Sequence, residues 1–187
     1  METENKAIGK PNSPPAVAHR FWKWKNRWII MTRDFSFLIE KYEEKGFDPI
    51  DAYLLSGIFH RFDPEFDLND PFYLTAKEYV FKTLDMLKEK EGLPVLFYKE
   101  FYSSFKDRED FRNCADMYLS IMVTMIDDAL KKKITNDRMY DDYLSVINNN
   151  NPGKLLEIFV DASDKVKHNA ERKLLFDAIS YEIISYI

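Results

Sequence analysis

The side chains best suited to chemistry in this sequence are acidic. They are the pairs Asp127-Asp128 and Asp141-Asp142 and the run Asp63, Glu65, Asp67 and Asp70, with Asn69 as a further oxygen ligand. Paired carboxylates on facing helices can hold magnesium ions against a diphosphate, and oxygen ligands at alternate positions can converge on calcium. Neither pattern is complete. An Asp-Asp-x-x-Asp motif needs an acid at the positions held by Lys131 and Ser145. A calcium loop opening at Asp63 needs glycine and a bidentate Glu at the positions held by Leu68 and Leu74. These acids are therefore expected to cap helices or face solvent.

Other catalytic and metal-binding patterns are missing from the sequence. Cys114, His19, His60 and His168 are scattered along the chain, which does not suit the clustered ligands of a structural zinc site. None of the histidines follows a Glu by three residues, as a carboxylate-bridged di-iron bundle requires. There is no Gly-rich phosphate loop, Gly-x-Ser-x-Gly or His-Glu-x-x-His motif. Cys114 falls inside a predicted helix without a sequence-adjacent activator, and packing is its expected role. The sequence leans away from an enzyme, and no catalytic residue, metal or cofactor is expected.

The most informative segment for binding is the N-terminal helix. Phe21, Trp24, Trp28, Met31, Phe35, Leu38 and Tyr42 recur at alternating steps of three and four, which places them on one helical face as a core stripe. Around them stand His19, Arg20, Lys23, Lys25, Arg27 and Arg33. Trp22 falls off the stripe by about 100 degrees and either widens the buried arc or projects as an anchor. Trp22, Lys23, Lys25 and Arg27 are the candidate partner-binding residues. Aromatics interleaved with cations can stack on bases and pair with phosphates, and anionic membrane surfaces use the same parts.

Apolar residues make up 45% of the 187 residues and charged residues 32%, a globular composition. Residues 1–15, with Gly9, Pro11, Pro14 and Pro15, are expected to be a flexible tail, and residues 16–187 one helical domain. After the first helix, closed by Gly46, Asp48-Pro49 opens a second carrying Ile50, Tyr53, Leu54 and Ile58. A third starts at Asp70-Pro71 or at the Thr75-to-Glu78 capping box and buries Tyr73, Ala76, Val80, Leu84 and Leu87. Pro94 opens a fourth with Leu96, Phe97, Phe101 and Phe105. A fifth, central by its wide apolar arc, carries Phe111, Ala115, Tyr118, Met122, Met125 and Ala129. Asn136 is expected to cap a sixth with Met139, Tyr143, Leu144 and Ile147. A seventh carries Leu155, Leu156, Phe159 and Val160, and the last carries Val166, Ala170, Leu174, Leu175, Ala178, Ile179 and Ile183. With no hairpin turn and no sustained alternation, the expected fold is all-α: one compact array or bundle of about eight helices.

The formal charge is −5, but residues 1–33 hold seven Lys or Arg against two Glu, leaving −10 on the rest. That sign argues against general nucleic-acid binding while allowing a local basic patch. No apolar run approaches the roughly 20 residues of a membrane span. A single cysteine and no basic-then-apolar leader suggest a reducing compartment, cytoplasm or nucleus. The expected function is a non-catalytic protein-interaction module, an adaptor, inhibitor or regulatory antagonist, with a groove or face lined by aromatic and Met residues and another protein as partner. Nucleic-acid binding through the N-terminal helix is the alternative, and a helical enzyme with an acidic site is the third reading.

Overall fold

The computed structural model describes residues 36–168 and 171–186, all within one compact unit that runs from Phe35 to Ile187. Among the described residues there are eight α-helices and no strand. They are α1 (Ser36–Glu44), α2 (Pro49–Phe59), α3 (Pro71–Glu89), α4 (Leu93–Val95), α5 (Arg108–Leu130), α6 (Arg138–Asn149), α7 (Pro152–Lys167) and α8 (Arg172–Ile184). A π-helical turn, Leu96–Phe101, and a 3-10 turn, Tyr102–Ser104, join α4 to the loop before α5.

Helix starts follow local chemistry. Asp48, Asp70, Asp107, Asp137 and Asn151 each accept a backbone N–H of the following first turn, satisfying donors that have no partner within the helix. Pro49, Pro71 and Pro152 occupy the first turn, where a missing N–H costs nothing. At the end of α1, Gly46 takes a φ of 90°, and the N–H of Phe47 donates to the Tyr42 carbonyl at 3.1 Å. The two rings then meet edge to face, 5.3 Å between centroids, as the apolar contact that accompanies this cap.

Of the predicted core stripe, Phe21, Trp24, Trp28, Met31 and Phe35 lie outside the described residues. Leu38 is half-buried and Tyr42 fully buried, with Ile39 buried beside them. The Tyr42 hydroxyl donates to the Arg61 carbonyl and accepts the Asp63 N–H, so it ties α1 to the chain after α2.

The expected inner faces of α3 and α5 are buried in full. Helix α5 is central, packed against α2, α3, α6 and α7. At its crossing with α2 the backbones come close enough that a Cβ on Gly57 would stand 2.2 Å from Thr124 Cγ2. A second part of the core is aromatic. Phe97, Phe101, Phe111 and Tyr118 surround Phe176 of α8 at centroid distances of 4.8–5.9 Å.

Four local expectations are corrected. The segment after Pro94 is not a regular α-helix, because its i→i+5 winding, sealed by the Tyr102 N–H to the Phe97 carbonyl, brings Leu96, Phe97 and Phe101 all into the core. The cap of α6 is Asp137 rather than Asn136, since the Asp137 side chain reaches the Tyr140 N–H at 2.8 Å. That register turns Tyr140, Leu144 and Ile147 inward, leaving Met139 exposed and Tyr143 half-buried. Val166 is buried on α7, not on the final helix, and Leu174 of α8 faces solvent.

Candidate functional site

The acidic run between α2 and α3 is spent on local turns. Asp63 accepts the Glu65 N–H, Asp67 accepts the Asn69 N–H, and Asp70 accepts the N–H groups of Phe72 and Tyr73. Among the described residues no group of three or more His, Cys, Asp or Glu side chains is placed to hold a metal ion.

The two Asp pairs behave differently from each other. On α5, Asp127 pairs with Lys131 at 2.6 Å, one turn along, near the surface. Asp128 points inward, where it accepts from Lys133 Nζ at 3.2 Å and from the Tyr140 hydroxyl at 3.0 Å. Tyr140 stacks on Tyr53 with centroids 5.4 Å apart, and the Lys133 ammonium sits 4.6 Å from the centre of the Tyr53 ring. On α6, Asp141 accepts both the N–H and the hydroxyl of Thr135, while Asp142 is exposed.

A matching cluster stands between α2 and α3, and sequence reasoning missed it. Asp51 Oδ1 accepts from both the Tyr73 hydroxyl and Lys77 Nζ. Tyr73 and Lys77 are one turn apart on α3, so the pairing of an inward Tyr with a Lys beside it was present in the sequence. What was missing was any sign that an Asp in the first turn of α2 would meet them. Both clusters have the same composition: a buried Asp, a Tyr hydroxyl and a Lys ammonium.

Burial pushes the carboxyls of Asp51 and Asp128 up, against the opposing pull of their Lys and Tyr partners. Burial raises Asp127 as well, against Lys131. Asp48 is also pushed up by burial, but hydrogen bonds from Asp51 and the Ile50 N–H and the charge of Lys77 together outweigh that, and the net shift is downward. Among the described residues no buried side-chain nitrogen or oxygen lacks a hydrogen-bond partner. Each buried carboxylate meets its Tyr and Lys donors from neighbouring elements, so the clusters act as clamps that fix helix positions, α2 to α3 and α5 to α6. Cys114 is fully buried, with its thiol pushed up to about 12 by burial and then by Asp70. Its Sγ donates weakly to the Phe72 carbonyl, which fits packing rather than nucleophilic use.

Apart from Phe37, Leu74, Val95 and Tyr102, the large apolar side chains that remain exposed fall in two stretches of the chain. One is α8. Leu175, Phe176, Ile179 and Ile183 are buried, yet Leu174 is 62% exposed, Tyr181 68% and Ile184 47%. Leu174, the half-buried Ala178 and Tyr181, at steps of four and three, form a second apolar stripe opposite the first. The other is the connection from α5 to α6, where Ile134 is 89% exposed between Leu130 and Met139, both also exposed.

Most described aromatics and Met residues lie inside the helical array or half-buried, not along an open groove. Trp22, Lys23, Lys25 and Arg27, singled out for binding, lie outside the described residues. No helix among the described residues is long and apolar enough to cross a membrane. The chain matches no family model, no curated protein and no solved structure.

Proposed function

We propose that this protein is a non-catalytic helical interaction module that receives a partner helix along the outer face of α8. The single observation that carries this reading is the second apolar stripe, Leu174, Ala178 and Tyr181, on a helix whose opposite face is already buried. A helix resting on the surface of an array needs one apolar stripe, and the other side is normally charged. Here the outer stripe is uncharged, with Ala178 small enough at its middle to let another backbone approach. Burying the exposed part of Leu174 under a partner would contribute about 1–2 kcal/mol, and Tyr181 would add its ring area. The reading is further supported by the closed state of the buried Asp clusters, which serve the fold.

The test is a photo-crosslinking residue placed at Ala178 in the intact protein, activated in its native cell. The expected result is a discrete adduct with another protein, abolished by Leu174→Asp with Tyr181→Asp while the circular dichroism spectrum is unchanged. No adduct, or an adduct indifferent to the double substitution, overturns the proposal.

A further inference from the structure

The connection between α5 and α6 presents an apolar side chain on a stiff support. Lys132 takes a φ of 53°, and the N–H groups of Lys132 and Lys133 donate to the carbonyls of Ala129 and Asp128, the double bond of a Schellman cap. Lys133 is then held through its side chain by Asp128. On the far side, Thr135 is buried, gives its N–H and hydroxyl to Asp141, and accepts the Asp137 N–H. Ile134 lies between these two anchored residues and is 89% exposed. An ordered loop gives up little further conformational entropy on binding, so an apolar residue so placed is pre-organised for a contact.

The charges around it are sorted. Asp127 and Asp128 are taken by Lys131 and Lys133, Asp137 by the Tyr140 N–H, and Asp141 by Thr135. Lys132 and Arg138 are exposed and have no ion-pair partner among the described residues. Chain length keeps their Cα atoms within about 7 Å and 14 Å of that of Ile134. Asp142, one turn past Arg138 on α6, is the remaining exposed acid in this stretch. The tip is thus an apolar knob whose neighbours in the chain include two cations without an ion pair among the described residues, with Leu130 and Met139 also exposed along the same stretch.

We propose that this tip is a docking site for an acidic peptide segment of another protein, whose apolar anchor packs on Ile134 and whose carboxylates pair with Lys132 and Arg138. It is a second surface, independent of α8. A peptide fits better than an anionic membrane. Polybasic membrane attachment uses roughly four to eight free cations, whereas this stretch offers two without an ion pair among the described residues.

The experiment is a titration of the full-length, isotope-labelled protein followed by amide chemical shifts. The probe is a short synthetic peptide with one Leu flanked on both sides by paired Glu. Shifts are expected at residues 130–139, with affinity falling as salt rises. Lys132→Glu with Arg138→Glu should weaken binding about tenfold or more, and Ile134→Ser should weaken it with unchanged thermal stability, because that side chain supports nothing in the fold. The same peptide with Gln for Glu should bind more weakly. Absence of shifts at this loop, shifts confined elsewhere, equal affinity for the Gln peptide, or binding to phosphatidylserine vesicles alone would each overturn the assignment.

Discussion

Lys133 holds Asp128 twice. Its backbone N–H donates to the Asp128 carbonyl at 3.1 Å, and its ammonium lies 3.2 Å from the carboxylate. The first bond closes the end of α5, and the second stands where such a cap ordinarily has an apolar contact. Tyr140 of α6 completes the arrangement through its hydroxyl. One buried acid therefore sets the end of one helix, the path of the connection and the seat of the next helix.

This cluster carries a pH dependence of definite sign. The Asp128 carboxyl is raised above its ordinary 3.8, chiefly by burial, so the folded state holds its proton at pH values where the unfolded chain has released it. Its contribution to stability is fully present below 3.8 and is lost as pH rises through the folded value. Asp51 and Asp127 are raised too and act in the same direction. Mild acidification from neutrality should accordingly raise the denaturation midpoint until the remaining surface acids protonate. Asp128→Asn should flatten that dependence in equilibrium urea unfolding at several pH values, and an unchanged slope would refute the burial argument. Tyr140→Phe should cost about 1.5–3 kcal/mol, the range for a hydrogen bond to a charged group.

Lys132 occupies a left-handed backbone position that favours glycine. The conformation costs an L-residue roughly 1–2 kcal/mol, and glycine returns part of that gain through the entropy of the unfolded chain. Lys132→Gly should therefore stabilise the protein by about 0.5–1 kcal/mol, read as a higher thermal midpoint. A drop would mean that the lysine side chain contributes to the fold.

Gly57→Ala should be among the more damaging small substitutions. Its new methyl group would collide with Thr124 Cγ2, and overpacking of this kind costs about 1–3 kcal/mol. Thr124→Ser removes that methyl and should recover much of the loss in the double variant. A double-mutant cycle by chemical denaturation checks it, and strict additivity would show that the two residues do not meet.

Much of the helical outline was legible because its signals are local. Asp48-Pro49 and Asp70-Pro71 mark helix starts through bonds made within three residues, and the buried faces of α3 and α5 follow from periodicity alone. Where side chains compete for the core, periodicity fell short. The turn from Leu96 to Phe101 widens because aromatics on other elements, Tyr118 and Phe176 among them, draw Phe97 and Phe101 to one place. At α6, two neighbouring residues could serve as cap, and the burial of Tyr140 beside Asp128 selects Asp137.

The candidate surfaces divide in the same way. That α8 carries apolar residues on more than one side can be read from its sequence, but which side meets Phe97 and Phe101 depends on packing, and only that choice leaves Leu174 and Tyr181 outside. By itself the sequence determined the helical class, the starts of α2 and α3 and the residues available for a core, since each depends on neighbours a few positions away. Tertiary structure alone decided that Asp51 meets Tyr73 and Lys77, that Asp128 turns inward while Asp127 stays near the surface, and that Ile134 is left standing in solvent. Those outcomes depend on how helices cross, and a crossing is an agreement among side chains far apart along the chain.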